Sequence, residues 1–215
     1  MEKKLSANKV PSRIILASGS PRRADLLRAM GIKFTVFPVK IDENNFTEEI
    51  DRLENIEKIG KIAEKIALKK AESAANKWKE PGLFLTADTM VILDGEILGK
   101  PATAKAAGEM LLKLSGKIHH VITGLCVYDS SGGKKSTAHV ISRVKFKKLT
   151  VAEIEEYVKT GEPLDKAGAY GIQGKGGLLV DEIHGCYYNI VGLPLPRLYV
   201  ILKDFGIDLL KAGLS

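Results

Sequence analysis

The stretch Ala17-Ser18-Gly19-Ser20-Pro21-Arg22-Arg23 gathers two hydroxyls and two guanidinium groups at a helix start. Ile14-Ile15-Leu16 before it reads as a buried strand, and the helically spaced Leu26-Leu27 and Ala29-Met30 after it end at Gly31. Ser20 suits the N-cap and Pro21 the first helical position. Arg22 and Arg23 then fall in the first turn, where the helix dipole disfavours cations, so the sequence breaks a local rule in return for something else. Free backbone N–H groups, a positive dipole, hydroxyls and guanidinium groups together suit a multiply charged anion, most simply a polyphosphate.

Acidic groups accompany this basic site. Asp88 stands in the middle of the apolar run Leu83–Leu93. A carboxylate there is costly unless it is paired, hydrogen-bonded or metal-bound. Two readings follow: a salt bridge with some lysine, or a functional acid. Gly99-Lys100-Pro101 lies just beyond a tight Asp94-Gly95 turn that brings Lys100 back toward Asp88. Asp42-Glu43 follows a short strand from Lys33 to Val39, and strand ends of α/β sheets converge on a ligand crevice. Lys70, in Ile66-Ala67-Leu68-Lys69-Lys70-Ala71, reads from periodicity alone as a surface residue.

Several chemistries are excluded. There is neither a Gly-x-x-x-x-Gly-Lys-Ser/Thr loop nor a Gly-x-Gly-x-x-Gly after the first strand. His119 and His120 are neighbours on one strand and face opposite ways, so they cannot share a metal. His139 and His184 have no partner spacing, and no Ser or Cys stands in a nucleophile elbow. Water is therefore the expected nucleophile. Cys126 and Cys186 read as reduced core thiols without metal-ligand spacing.

The elements that must position these groups alternate along the chain. A helix is expected from Phe46 to Lys77, broken or irregular near Gly60, followed by a long strand over Leu83–Leu93. Thr103 caps a helix to Leu114, strands follow at His119–Tyr128 and Thr137–Phe146, and Thr150-Val151-Ala152-Glu153 is a capping box opening a helix that ends at Gly161. A glycine-rich stretch from Ala167 to Gly177, a short strand or two and a helix after Pro194 complete an α/β protein around a mixed sheet. The 215 residues suit one domain, 1–215, with two lobes. Composition is that of a globular protein, 45% hydrophobic and 27% charged.

The formal charge of +7 favours an acidic partner, either nucleic acid or a small phosphorylated molecule. Nucleic acid is not expected, because aromatics do not interleave with the lysine-rich runs 58–79 and 134–148. No apolar run approaches the roughly 18 residues that span a bilayer. Met1–Pro11 is basic without the apolar segment of a secretory signal, so no membrane partner and a cytoplasmic location are expected.

These segments, in this order, resemble the Maf family of nucleoside triphosphate pyrophosphatases from Leu16 to Leu195. The resemblance rests on Leu16–Arg23, Asp42-Glu43, Ala87-Asp88-Thr89, Gly99-Lys100-Pro101, Ser115-Gly116 with His119 and Thr123-Gly124, Asp165–Gly174 and Val191-Gly192-Leu193-Pro194. It implies two lobes around a central cleft, similar to the inosine triphosphate pyrophosphatases, with a mixed elongated sheet flanked by helices. It also implies hydrolysis of dTTP and UTP to the monophosphate and pyrophosphate by attack at the α-phosphorus, assisted by a divalent cation, Mg²⁺ or Mn²⁺. Asp88 then matches the acid that accepts a proton from water, and Glu43 a second carboxylate that shares the metal with Asp88. Ser18, Arg22, Arg23, Lys70 and Lys100 match a phosphate cradle, and Arg23, Thr89 and Gln173 match positions linked to base choice. A homodimer is compatible with the family. Alternatives are a 7-methyl-GTP pyrophosphatase, whose subgroup has Ser-Glu-Gly in place of Ile172-Gln173-Gly174, and a non-catalytic cell-division regulator. The segment from Asn44 to Lys61 is longer and more charged than the family pattern, which leaves its path open.

Overall fold

A computed structural model describes residues 13–43, 46 and 55–211. The expected helix over 47–54 and the basic N-terminus lie outside the described residues. The framework is a mixed seven-stranded sheet. Its strands are β1 (Ile14–Leu16), β2 (Phe34–Val36), β3 (Leu83–Leu93), β4 (Glu96–Ile97), β5 (Ile118–Asp129), β6 (Lys135–Phe146) and β7 (Val180–His184), in the order β2-β1-β3-β5-β6-β7 with β4 against β3. β2, β1 and β3 run parallel, and β3, β5, β6 and β7 are antiparallel in turn.

Strand β3 decides where a site can form. One edge is covered by β5 from Leu83 to Ile92. The other edge is divided: β1 pairs with Leu83–Leu85, and β4 with Ile92 and Leu93. The last bonds on that edge run from the Ala17 N–H to the Leu85 carbonyl and from the Leu98 N–H to the Val91 carbonyl. Between them no strand among the described residues covers β3.

Helices cover both faces. On one lies α2 (Ile56–Lys77), whose Ile59, Ile62 and Ile66 pack on Met90, Ile92 and Ile122, and whose small Ala67, Ala71 and Ala74 pack on Ile15, Phe84 and Cys126. On the other, α1 (Pro21–Ala29) and α6 (Leu195–Asp204) build one core with Leu85 and Ala87. The helices α3 (Ala104–Leu114) and α4 (Val151–Lys159) build another with Val91 and Leu93. A short α5 (Tyr187–Val191) follows β7, where sequence pattern suggested a second strand.

Local signals account for many of the boundaries. The Thr103 hydroxyl accepts from the Ala106 N–H, and Thr150 and Glu153 form a complete capping box. Ser20 occupies the N-cap of α1, but its side chain makes no capping bond; the Ser20 N–H instead donates to Ser18 Oγ at 3.3 Å. The expected break at Gly60 is absent. Helix α2 runs through it because the missing side chain makes room for His139 of β6, whose Cδ2 would lie 2.3 Å from an added Cβ. Only one of the two thiols is a core group: Cys126 is buried and pushed up to about 12 by that burial, whereas Cys186 is half-buried at the start of α5.

Gly124 of β5 sits opposite Asp88, and a Cβ there would fall 2.1 Å from the Ala63 carbonyl carbon and 2.2 Å from its oxygen. Backbone cannot yield as a side chain can, so Gly124→Ala must lift α2 off the sheet. The expected cost is about 1–3 kcal/mol or more, read as a lower thermal-unfolding midpoint. An unchanged midpoint would show that the helix approach is not tight.

Candidate active site

The gap in the β3 edge opens into a cleft of about 1000 Å³. Successive side chains of a strand point to opposite faces, so Phe84, Thr86, Asp88 and Met90 face α2 while Ala87, Thr89 and Val91 face the other layer. At an uncovered edge both faces are reachable. Asp88 and Thr89, adjacent in sequence, therefore line one cavity from two sides.

Asp88 is held by Lys70. The ammonium of Lys70 lies 2.6 Å from Asp88 Oδ1 and 2.8 Å from Glu43 Oε1. Lys70 is 16% exposed and Asp88 14%, so the pair is shielded without being sealed off. Periodicity placed Lys70 at the surface, and the structure corrects this: it points inward from α2, while its neighbour Lys69 turns out over the Phe46 ring. The salt-bridge reading of Asp88 is thus realised, but at the floor of a cleft and with a second carboxylate on the same ammonium.

Arg23 is fixed by three acceptors. Its Nε donates to the Gly192 carbonyl at 2.8 Å, and its two terminal nitrogens donate to Ser18 Oγ and Thr89 Oγ1 at 3.0 Å each. Burial pushes this guanidinium down to about 10; Asp88 opposes that shift and Arg22 adds to it. Arg23 remains charged at neutral pH. Gly192 has φ +116°, a conformation that side chains rarely adopt, and an added Cβ would also lie a tight 3.3 Å from Thr89 Oγ1, which explains the glycine.

Arg22 and Lys100 stand at the rim. Arg22 reaches Asp165 at 3.4 Å, and Lys100 is exposed on the cleft wall. The wall continues through Lys166, which donates to Asp165 and to the Glu162 carbonyl at 2.6 and 2.8 Å. The loop 167–174 is drawn in by bonds from the Gly168 N–H to the Leu98 and Gly99 carbonyls, at 3.0 and 3.1 Å. Within it the Tyr157 hydroxyl accepts from the Gly171 N–H, and just beyond it Glu162 accepts from the N–H groups of Lys175 and Gly176. Gln173 is left exposed on the cleft wall rather than bracing that loop.

Among the described residues no three His, Cys, Asp or Glu side chains form a metal-binding group. Glu43 and Asp88 nevertheless fit a hard cation, because both present oxygen to a single positive centre, the Lys70 ammonium. A magnesium-type ion held by one or two carboxylates, with phosphate oxygens and waters completing its shell, needs no larger protein cage.

A family model described as Maf-like protein matches residues 13–205. The chain belongs to the Maf family. It is 47% identical over 205 residues to the dTTP/UTP pyrophosphatase of Acetivibrio thermocellus, covering 93% of this chain and 98% of that relative. It is 45% identical over 196 residues to the dTTP/UTP pyrophosphatase of Syntrophomonas wolfei subsp. wolfei, covering 91% and 99%. The same name belongs to a relative from Dictyoglomus thermophilum, 45% identical over 197 residues and covering 92% and 98%.

All the residues singled out by the Maf resemblance (Ser18, Arg22, Arg23, Glu43, Lys70, Asp88, Thr89, Lys100 and Gln173) line the same cleft. Sequence reasoning gave no role to Lys166, Thr123 or Asn189. Lys166 stands beside Asp165 in the glycine-rich segment, a visible cue. Thr123 and Asn189 are wholly buried; Thr123 was noticed only as part of the Thr123-Gly124 match to the Maf pattern, and Asn189 carries no sequence signal of its position.

His119 supports the cleft from behind. Its Nε2 lies 2.9 Å from the Tyr170 hydroxyl oxygen, and its ring packs edge-on to Phe146 and Tyr170. Burial, with a smaller contribution from His120, pushes it down from 6.5 to about 4. Between those values the unfolded chain binds a proton that the folded one refuses, so stability falls as pH drops from about 6.5 toward about 4. The loss from this group is on the order of 3 kcal/mol. His119→Gln should remove that part of the acid sensitivity, measured by urea unfolding at pH 7 and pH 4.5. Equal acid losses in both proteins would refute it.

Proposed function

We propose that this chain hydrolyses dTTP and UTP to the nucleoside monophosphate and pyrophosphate. The observation that carries the chemistry is the ammonium of Lys70 gripping Asp88 and Glu43 at the floor of a cleft rimmed by arginine and lysine. The substrate class is supported by relatives named dTTP/UTP pyrophosphatase that are similar over about nine-tenths of the chain.

On this reading Ser18, Arg22, Lys100 and the start of α1 take the triphosphate, whose roughly four negative charges call for several donors at once. Asp88 receives Lys70 through Oδ1, which leaves Oδ2 to orient a water and accept its proton. The water oxygen bonds to the α-phosphorus, the bond from that phosphorus to the bridging oxygen breaks, and pyrophosphate leaves with the electron pair. Glu43 and Asp88 would hold a divalent cation, which when bound neutralises phosphate charge and makes water more acidic. Lys70 fixes both carboxylates and has a third N–H to offer phosphate oxygen. Arg23, Thr89 and Gln173 face the base. A glutamine amide can donate to O4 and accept from N3–H of uracil or thymine, whereas cytosine presents the opposite pattern at both positions.

Asp88→Asn is expected to lower turnover by at least about 10²-fold while nucleotide binding persists. Near wild-type hydrolysis by that variant would remove Asp88 from its role. Chelation of divalent cations should abolish activity, and full activity afterwards would rule out metal assistance. In a substrate panel read by pyrophosphate release, dTTP and UTP should be comparable, because one methyl changes discrimination by only ~1–3 kcal/mol, and CTP should be poor. A preference for 7-methyl-GTP would overturn the base assignment.

A further inference from the structure

Behind Arg23 and Thr89 lies a row of hydroxyls whose protons can all be assigned. Thr123 Oγ1 is 3.0 Å from the Asn189 carbonyl oxygen, which only accepts, so the single Thr123 proton is committed there. Thr123 Oγ1 is also 3.0 Å from Thr89 Oγ1. With the Thr123 proton spent, Thr89 must be the donor in that contact; otherwise two oxygen lone pairs would face each other in a buried site. Thr89 in turn accepts from an Arg23 terminal nitrogen. The row therefore runs one way, from Arg23 through Thr89 and Thr123 to the Asn189 carbonyl.

The far end is rigid. Thr123 and Asn189 are fully buried. The Asn189 side-chain nitrogen donates to the Val121 carbonyl and to Ser142 Oγ, at 2.9 Å each, and Ser142 is itself bonded to the carbonyl and the N–H of Cys186. The carbonyl that terminates the row cannot turn away without breaking these bonds.

We propose that Thr123 is a specificity-determining positioning residue: by taking the Thr89 proton it leaves Thr89 able only to accept hydrogen bonds from a bound nucleotide. This rests on the dTTP/UTP reading above and deepens it. An acceptor-only hydroxyl beside the base favours a donor, the N3–H that uracil and thymine share. It repels cytosine, whose N3 is an acceptor. Thymine and uracil are not distinguished by it, since both carry the same N3–H. The discrimination lies in Thr89, but its sign is set by a buried residue that touches no ligand.

The experiment measures affinities of the α,β-methylene analogues of UTP and CTP by calorimetry, for the wild type and for Thr123→Val, Thr123→Ser and Thr89→Val, each checked for folding by its melting temperature. Thr123→Val frees the Thr89 proton to point into the cleft, so the preference for the uracil analogue should narrow by at least about tenfold. Thr123→Ser keeps the hydroxyl and should restore it. Thr89→Val, at the cleft wall, removes the acceptor itself and should also narrow the preference, which keeps the test decisive if Thr123→Val does not fold. An undiminished preference in a folded Thr123→Val or Thr89→Val, or a Thr123→Ser protein as unselective as Thr123→Val, would overturn the proposal. Pyrophosphate release from UTP, dTTP and CTP by the wild type and the folded variants is assayed alongside. Hydrolysis of UTP and dTTP over CTP that persists undiminished in the folded variants overturns the relay alone, whereas no hydrolysis of any pyrimidine triphosphate by the wild type overturns the underlying reading and the relay with it.

Discussion

Strand β3 is shared unequally, and the rest of the site depends on that. β1 leaves its edge after Leu85 and β4 joins it only at Ile92. Continuous pairing would have sealed Asp88 beneath α2 and Thr89 beneath the opposite helices, on faces that never meet. The interruption lets two neighbouring residues of opposite orientation act in one cavity. It also relieves an energetic problem. A carboxylate fully enclosed in the sheet interior would carry a desolvation penalty that can exceed the gain from one lysine, whereas at a gap it keeps partial hydration beside its partner. The division of the second layer into two cores, one around α1 and α6 and the other around α3 and α4, leaves room where Thr89 emerges.

Two kinds of positive charge serve the cleft. Arg23 is immobilised by three acceptors and desolvated enough to lower its pKa, so its orientation is set before any ligand arrives. Arg22 and Lys100 are accessible at the rim, and Arg22 has only a 3.4 Å ion pair with a largely exposed Asp165. Such a pair contributes little, and under the proposed function it would give way to phosphate at little cost. Fixed charge supplies geometry, and loosely held charge supplies attraction.

Much of this was legible in the sequence because it is local. The strand over Leu83–Leu93, the caps at Thr103 and Thr150, and the grouping of Ser18, Arg22 and Arg23 at the start of α1 each follow from residues within one or two turns. Lys70 was misread by periodicity because a lysine on an amphipathic helix is usually solvated; its partners, Asp88 and Glu43, come from other elements. Gly60 looked like a helix breaker because glycine is a poor helix former, and only the approach of His139 from β6 explains it. The roles of Thr123 and Asn189 were invisible for the same reason. Their significance lies in which oxygen faces which, and no spacing rule encodes that.

The charges of the cleft explain why a basic site would still call for a cation under the proposed function. Arg22, Arg23, Lys70, Lys100 and Lys166 line it, but so do Glu43, Glu96, Asp88 and Asp165. The formal excess is a single positive charge, against roughly four negative charges on a triphosphate. Arginines and lysines alone would leave that ligand under-neutralised in a partly desolvated cavity, where uncompensated charge is most costly. On that reading the acids cannot simply be absent, since Asp88 would take a proton and Glu43 shares its lysine. A divalent ion, which Glu43 and Asp88 would hold, would resolve the conflict by offsetting the surplus negative charge. The carboxylates that weaken phosphate holding by side chains alone are therefore, under the proposed function, the same ones that would recruit what makes it possible.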